Sequence, residues 1–524
     1  MARQKLGTVS RRAVLRSAGA AGALLASGAG VNLFNTRRSL AAELPDPQSV
    51  LAKINVGNYV RKPYRDQYGL KDDDELWDPA KDWIRTVDWE AVRKQFAGTT
   101  VRFAIGAADA ESAQDGLEPF RQLSGITIEL VPIPDDSLYD KVVAEFLSGN
   151  ASFDALQFFS PWLGDFVVPG FLAKLDDYAE KWKLPLDDFY DTYKLNYGYW
   201  AGQGLYGIPF DCDFQMLHVR PSLFKQVTGG ELDTKNSVKT YGDLIRLTGE
   251  LNKVGGGVAG IGLLGARGFW STYTWEHVAA QYGMDLFNDK WEPVFNNEAG
   301  VQGLETVLAL AKNSQTGVAG WGWAEDRAAW LGGQLASNLS WQDSGTQATR
   351  PDQSTIVGDV LTIYEPRVPG GRFAPPNIAG STSVVTATSK NAEGAFLMLA
   401  FLTTASIMAM NEANANGVAP GYKSVLNNAK LRKVSQPTEV LANELDFAWC
   451  APRLPGMFEM EQALGNEINK AIAGQATAKE ALDAGAKAWK EIMDKNGFYA
   501  SKPPVEFAAF AEIGWLGKGK TPPA

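Results

Sequence analysis

From Thr100 onward, short runs of β-branched and apolar residues alternate with amphipathic stretches, and this alternation restricts the chain to an α/β architecture with mainly parallel strands. Thr100-Val101-Arg102-Phe103-Ala104-Ile105 reads as a strand that runs into a loop over 106–112 and a helix closing near Ser124-Gly125. A second strand over 126–131 leads to an amphipathic helix over 136–148, and a third strand follows over 153–159. The second half repeats this grammar with a glycine-rich strand over 258–264, a helix over 298–312 and a strand over 336–341. A β segment over 380–387, a helix over 392–402 and two alanine-rich helices over 459–495, split at Gly474, complete the pattern.

At 524 residues the chain exceeds one ordinary core, and a soft prior of about 150 residues per domain suggests two or three units. The N-terminus carries Ser10-Arg11-Arg12-Ala13-Val14-Leu15-Arg16, then a weakly hydrophobic Ala/Gly/Leu stretch, then Ser39-Leu40-Ala41. That order predicts a twin-arginine signal peptide over 1–41, cleaved after a small-x-small site. No cysteine lies near the cut to carry a lipid, so the mature protein is expected to be free in the periplasm. Residues 1–41 hold seven Arg and Lys and no acid, so their removal takes the net charge from −10 to about −17. So acidic a chain disfavours nucleic acid and anionic membrane surfaces as partners, and no mature segment reaches the roughly 18 apolar residues a membrane span needs. Only Cys212 and Cys450 are present; an oxidising compartment permits a bridge between them, whereas folding before export disfavours one. Residues 42–98, with four prolines and the acidic run Asp72-Asp73-Asp74-Glu75, read as an appended helical extension.

The run Tyr206-Gly207-Ile208-Pro209-Phe210, followed by Asp211 to Phe214 and Pro221-Ser222-Leu223-Phe224, resembles the solute-binding proteins of ABC importers, the family that includes maltose-binding protein. Three further stretches are similar in content and order: 139–176, with Phe159-Ser160-Pro161-Trp162 and Gly170-Phe171-Leu172-Ala173-Lys174-Leu175; the loop 339–345; and the closing helices around Ala463-Leu464-Gly465-Asn466 and Ala478-Lys479-Glu480. The likeness spans roughly 99–498, and Phe458-Glu459-Met460-Glu461 departs from it where the maltose-type pattern has an adjacent aromatic pair. The resemblance implies a two-lobed type II periplasmic-binding-protein fold, each lobe a mainly parallel sheet flanked by helices. One lobe would comprise 99–209 plus 379–420 and the other 214–376 plus 424–524, with the hinge crossed three times. It further implies a monomer that binds a carbohydrate or polyol, partners an ABC permease, and needs no cofactor.

A sugar site needs flat apolar faces for C–H surfaces and fixed polar groups for hydroxyls. Ligands of open parallel sheets sit beyond the carboxyl ends of strands, so the loops there supply the candidates. These are Asp109, Glu111 and Ser112; Phe159, Ser160 and Trp162; Trp270 and Ser271; and Trp341, Gln342 and Asp343, to which we add Ser381 and Tyr422. The resemblance assigns stacking to Trp270 and Trp341 and a hinge carboxylate to Asp211. Asp211 and Asp213, two apart after a strand-like run, would point the same way, which leaves an exported glycan-acting enzyme with an acid/base pair as the alternative. Ligand hydrogen bonding or hinge capping accounts for the same pair without catalysis. His218 and His277 lack companions at metal spacing, and Gly255-Gly256-Gly257 precedes its strand, where a phosphate loop would follow one.

Overall fold

The computed structural model describes residues 44–149, 152–235, 238–254, 256–374 and 380–510, with 517 and 520; the leader over 1–41 lies outside them. Eight strands form two sheets: β1 Thr100–Gly106, β2 Thr127–Ile133, β3 Ala155–Phe159, β4 Gly207–Asp211, β5 Gln215–Val219, β6 Ser337–Trp341, β7 Leu361–Ile363 and β8 Ser381–Val385. One sheet has the order β2-β1-β3-β8-β4 and the other β6-β5-β7. Because β4 ends at Asp211 and β5 begins at Gln215, the chain passes from one sheet to the other in three residues. It returns between β7 and β8 and crosses again after the helix Ala405–Ala413, since the helix Gln436–Glu444 packs on β7.

The parallel pairing expected from the alternation is present for β2, β1 and β3, whereas β8 runs antiparallel to both β3 and β4. The second sheet departs further, with β5 antiparallel to both β6 and β7. The glycine-rich run over 258–264 is not a continuous strand; it makes isolated parallel bridges, from Ala259 to Leu335 just before β6 and from Gly262 to Asn338 within it. The reason is local: the Gly260 N–H donates to Asn252 Oδ1 (2.6 Å) and to the Asn313 carbonyl (3.0 Å), so helix-borne groups satisfy what a neighbouring strand would. A Cβ on Gly260 would lie 2.0 Å from the Thr248 carbonyl oxygen, which explains why a bare backbone is required there.

The segment read as an appended extension is part of the first core. Val50, Ile54, Trp77, Trp83, Trp89 and Val92 share one buried apolar cluster with Val101 and Phe103 of β1 and with the helix Ala392–Leu402. Asp82, fully buried, accepts from the hydroxyls of Thr404 (3.1 Å) and Ser406 (3.0 Å) and pairs with Arg85 (3.2 Å), pinning the segment to the helices of that core. Trp89 stands edge-on to Trp83, Phe120 and Phe401 at 6.0–6.3 Å and donates its indole N–H to the Ile84 carbonyl (2.7 Å). Trp89→Ala should therefore lower unfolding free energy by about 3–5 kcal/mol in denaturant titration, the range for emptying a buried aromatic site; a loss below about 1 kcal/mol would show the segment to be peripheral.

Candidate functional site

The carboxyl ends of β1, β3, β4 and β6 converge on a cavity between the two sheets. Asp109 stands just before the helix Ala110–Ser124, and Asp135 opens the helix Asp135–Ser148; both follow strands of the five-stranded sheet. A Cβ on Gly106 would lie 2.4 Å from Asp135 Oδ1, so glycine at the end of β1 is what lets that carboxylate seat. Asp109 Oδ2 accepts from Gln157 Nε2 (2.6 Å) and Ser381 Oγ (3.3 Å), and Gln157 Oε1 accepts from the Gly106 N–H (2.7 Å). Phe159, at the end of β3, completes this wall.

The opposite wall is aromatic. Trp270 lies in the first turn of the helix Phe269–Gln281, Trp341 ends β6, and Trp323 opens the helix Trp323–Leu331. The Trp270 and Trp341 rings meet at 6.0 Å and 79°, forming a right-angled corner. Trp270 Nε1 reaches across to Asp136 Oδ1 (3.0 Å) on the facing half, so the halves touch at the rim.

Asp211 and Asp213 line the cavity at the crossing between sheets. Asp211 Oδ1 accepts from the Ala419 N–H (2.7 Å). Asp213 Oδ1 accepts from the N–H groups of Phe214 and Gln342 (both 2.7 Å), and its Oδ2 from that of Asp343 (3.4 Å). Three backbone amides thus use both oxygens of Asp213, and the carboxylate caps the helix Gln342–Gln347 and ties the hinge to the end of β6. A group so engaged is poorly placed to move protons, which argues against the acid/base pair.

Eight of the sequence candidates, Asp109, Phe159, Asp211, Asp213, Trp270, Trp341, Asp343 and Ser381, line the cavity. The others are placed elsewhere. Ser112 donates to the Asp109 carbonyl (2.7 Å), Ser271 to the Gly465 carbonyl (2.9 Å), and Gln342 Nε2 to Glu412 Oε1 (2.7 Å). Trp162 is fully buried with its N–H on Glu461 (3.1 Å), and Tyr422 packs on Phe189 with ring centres 4.1 Å apart. Glu111 faces the outer mouth, where Arg61 (2.8 Å) and Arg350 (3.1 Å) both hold it. Phe458 stacks on Tyr139 at 3.7 Å, away from the cavity. Sequence reasoning missed Asp135, Leu138, Gln157 and Trp323. Cys212 and Cys450 are both buried and unbonded.

Burial, reinforced by neighbouring aspartates, pushes the Asp109, Asp211 and Asp213 carboxyls well above the usual carboxylate range. Burial raises Asp135 to about 6 and Asp343 to about 6, the latter against the pull of the Arg327 guanidinium. A carboxyl with a folded pKa near 6 and an unfolded value near 4 holds more protons in the native state between those limits, so stability falls as pH rises through that window. The ligand-free protein should melt a few degrees higher at pH 5 than at pH 7.5, and Asp343→Asn should flatten that dependence; thermal scans showing a rise in melting temperature toward pH 7.5 would contradict it.

A sequence model of the family described as bacterial extracellular solute-binding protein matches residues 97–409. A curated relative from Sinorhizobium fredii, described as "Probable amino-acid ABC transporter periplasmic-binding protein", is 24% identical over 417 residues, 77% of this chain and 92% of its own. Among solved structures, an ABC transporter solute-binding protein from Agrobacterium radiobacter K84 in complex with ribitol superposes with a TM-score of 0.68 at 22% identity, covering 76% of this chain and 99% of that one. One from Agrobacterium vitis S4 with bound D-mannitol gives 0.68 at 19% identity, with 76% and 99% coverage. Maltose-bound MalE3 of T. maritima gives 0.68 at 22% identity, with 75% and 100% coverage. The matched region covers more than half of the sequence and holds both sheets and the first two crossings between them, and on that ground the chain belongs to the bacterial extracellular solute-binding proteins, with their two-lobed α/β fold.

Proposed function

We propose that this protein captures a carbohydrate or polyol in the cavity between its lobes and delivers it to the permease of an ABC importer, without chemical turnover. The observation that carries the reading is the pairing of two walls. One is the right-angled corner of Trp270 and Trp341, suited to C–H faces, and the other is the hydroxyl-seeking row Asp109, Gln157 and Ser381 from the opposite lobe. The sugars and polyols bound by the structural neighbours support it. An α-amino acid, which the curated relative's description would suggest, carries a carboxylate that wants a cation; no Lys or Arg is among the described residues lining the cavity.

In this reading the lobes are 99–209 plus 379–420 and 214–376 plus 424–524, residues 1–41 direct twin-arginine export to the periplasm, and the mature chain acts as a monomer. Binding favours the closed state because only there do both walls reach the solute, and the permease reads the closed shape. Segment 42–98 then contributes to closure: Arg61 and Arg350 grip Glu111 from two sides, and Tyr64 hydroxyl lies 3.3 Å from Asp352, so the mouth is bridged by side chains from the extension and from both lobes.

A thermal-shift screen of sugars and polyols on the mature protein tests the reading, since a ligand at about 100 times its Kd adds about 2.7 kcal/mol of stability. Trp341→Ala should weaken the identified solute by at least about 1 kcal/mol by isothermal titration; unchanged affinity in a folded variant would remove that ring from the site. Arg350→Gln, which leaves the cavity lining intact, should lower affinity a few-fold and enlarge the ligand-free particle in small-angle scattering; unchanged values for both would show that the mouth bridges do not bias closure.

A further inference from the structure

The cavity's charge is one-sided. Asp109, Asp135, Asp211, Asp213 and Asp343 line it, and among the described lining residues there is no Lys, Arg or His. A neutral polyol both donates and accepts at every hydroxyl, so a site built for one alone would offer donors as well as acceptors. Here the lining donors are already spent on the protein's own carboxylates: Gln157 Nε2 and Ser381 Oγ on Asp109, and Trp270 Nε1 on Asp136. One donor is free. The N–H of Trp341, whose ring is 5% exposed, has no hydrogen-bond partner among the described residues.

The five carboxylates differ in how far the protein already satisfies them. Asp213 is held by three backbone amides and Asp211 by one. Asp109 and Asp135, from one lobe, and Asp343, from the other, have little cationic compensation. Arg327 at the outer mouth pulls on Asp343 but engages Gln347 and Gln353. Bringing Asp343 up to Asp109 sets two acidic groups across a poorly solvated gap, and Asp343 raises the affinity of Asp109 for protons. The indole rings of Trp270 and Trp341 face the same space and attract cations, while Trp323 already carries the Arg327 guanidinium 5.1 Å from its ring centre. Among the described residues no three acidic, His or Cys side chains are arranged to hold a metal ion, so the geometry suits an organic cation.

Resting on the solute-site reading above, we infer that the bound solute is a hydroxylated amine: its ammonium sits between Asp109, Asp135 and Asp343 against the indole corner, and a hydroxyl oxygen accepts from the Trp341 N–H. The solute's charge then also drives closure, because only a cation relieves the repulsion that shutting the lobes creates. The acidic surface of the mature chain draws such a solute toward the mouth.

Matched pairs isolate the charge: 1-amino-1-deoxy-D-sorbitol against D-sorbitol, and D-glucosamine against D-glucose, titrated calorimetrically into the mature chain at pH 7. The amine of at least one pair should bind ten-fold or more tightly than its neutral partner. That preference should shrink at least three-fold between 20 and 200 mM salt and again on lowering the pH to 5, as Asp135 and Asp343 take up protons while the amine stays charged. Asp343→Asn should weaken the amine more than its neutral partner, shrinking the preference at least three-fold. Equal or tighter binding of the neutral members, with Trp341→Ala still weakening it, overturns the charge inference and leaves the sugar-or-polyol reading standing. Failure of all four compounds to bind overturns both. Calcium binding that is lost on adding EDTA and competes with the amine also overturns the inference, because the carboxylates would then answer a metal.

Discussion

The Asp213 carboxylate fixes the geometry on which everything else in this molecule depends. It sits in the three-residue link between β4 and β5 and binds amides both in that link and at the start of the helix after β6. Through it, the point where the chain leaves one lobe is tied to the strand end of the other that presents Trp341 and Asp343. Hydrogen bonds to a charged acceptor are worth about twice neutral ones, and the site is nearly dry, Asp213 being 2% exposed. Removing the acceptor would leave the Phe214 and Asp343 amides without a partner at the crossing, the Gln342 amide keeping only the Phe214 carbonyl (3.1 Å), so the carboxylate is better understood as part of the hinge than as a ligand group. The family's architecture follows: two sheets joined by short crossings, with strand ends facing one gap.

How much of this was legible in the sequence depends on how many dihedral angles separate a residue from a recognisable strand end. Asp109, Trp341 and Asp343 follow strands directly, and the rule that ligands collect beyond carboxyl ends found them. Their immediate neighbours were over-read for a geometric reason. Successive helical residues point about 100° apart, so Ser112 turns back to the Asp109 carbonyl, Ser271 turns toward Gly465, and Glu111 swings out to the mouth. Gln157 was missed because it lies within β3, and which face it takes depends on register with β1 and β8, which no local pattern specifies. Trp323 follows no strand at all; it reaches the cavity by opening a helix. The fold was more legible than the site, since alternation and order survive small errors in boundary and the aim of a side chain does not. The antiparallel pairs of the second sheet escaped because they arise from chain crossings, a long-range feature, and the glycine run over 258–264 because its amides are taken by Asn252 and Asn313 from elsewhere in the chain.

Residues 44–98 change what the lobes can do as well as how stable they are. Their tryptophans complete a core that β1 and the helix Ala392–Leu402 would leave open, so the segment cannot detach without exposing that apolar surface. The same packing delivers Arg61 and Tyr64 to the rim, beside Glu111 and Asp352. The segment thereby forms part of the rim as well as of the core.

Magnitudes decide how that rim works. Across the gap the ion pair is Arg350 with Glu111, 3% and 45% exposed; with one partner in solvent it is worth about 1 kcal/mol. Against it stands the approach of Asp343 to Asp109 inside the gap, where water is scarce and like charges repel more strongly than exposed opposite charges attract. The rim contacts therefore cannot hold the lobes shut by themselves at neutral pH. They make the closed form reachable, while the balance is tipped by whatever enters the cavity and offsets its negative charge, or by protons when none does. A cavity lined in this way closes most readily around a solute that offsets its charge.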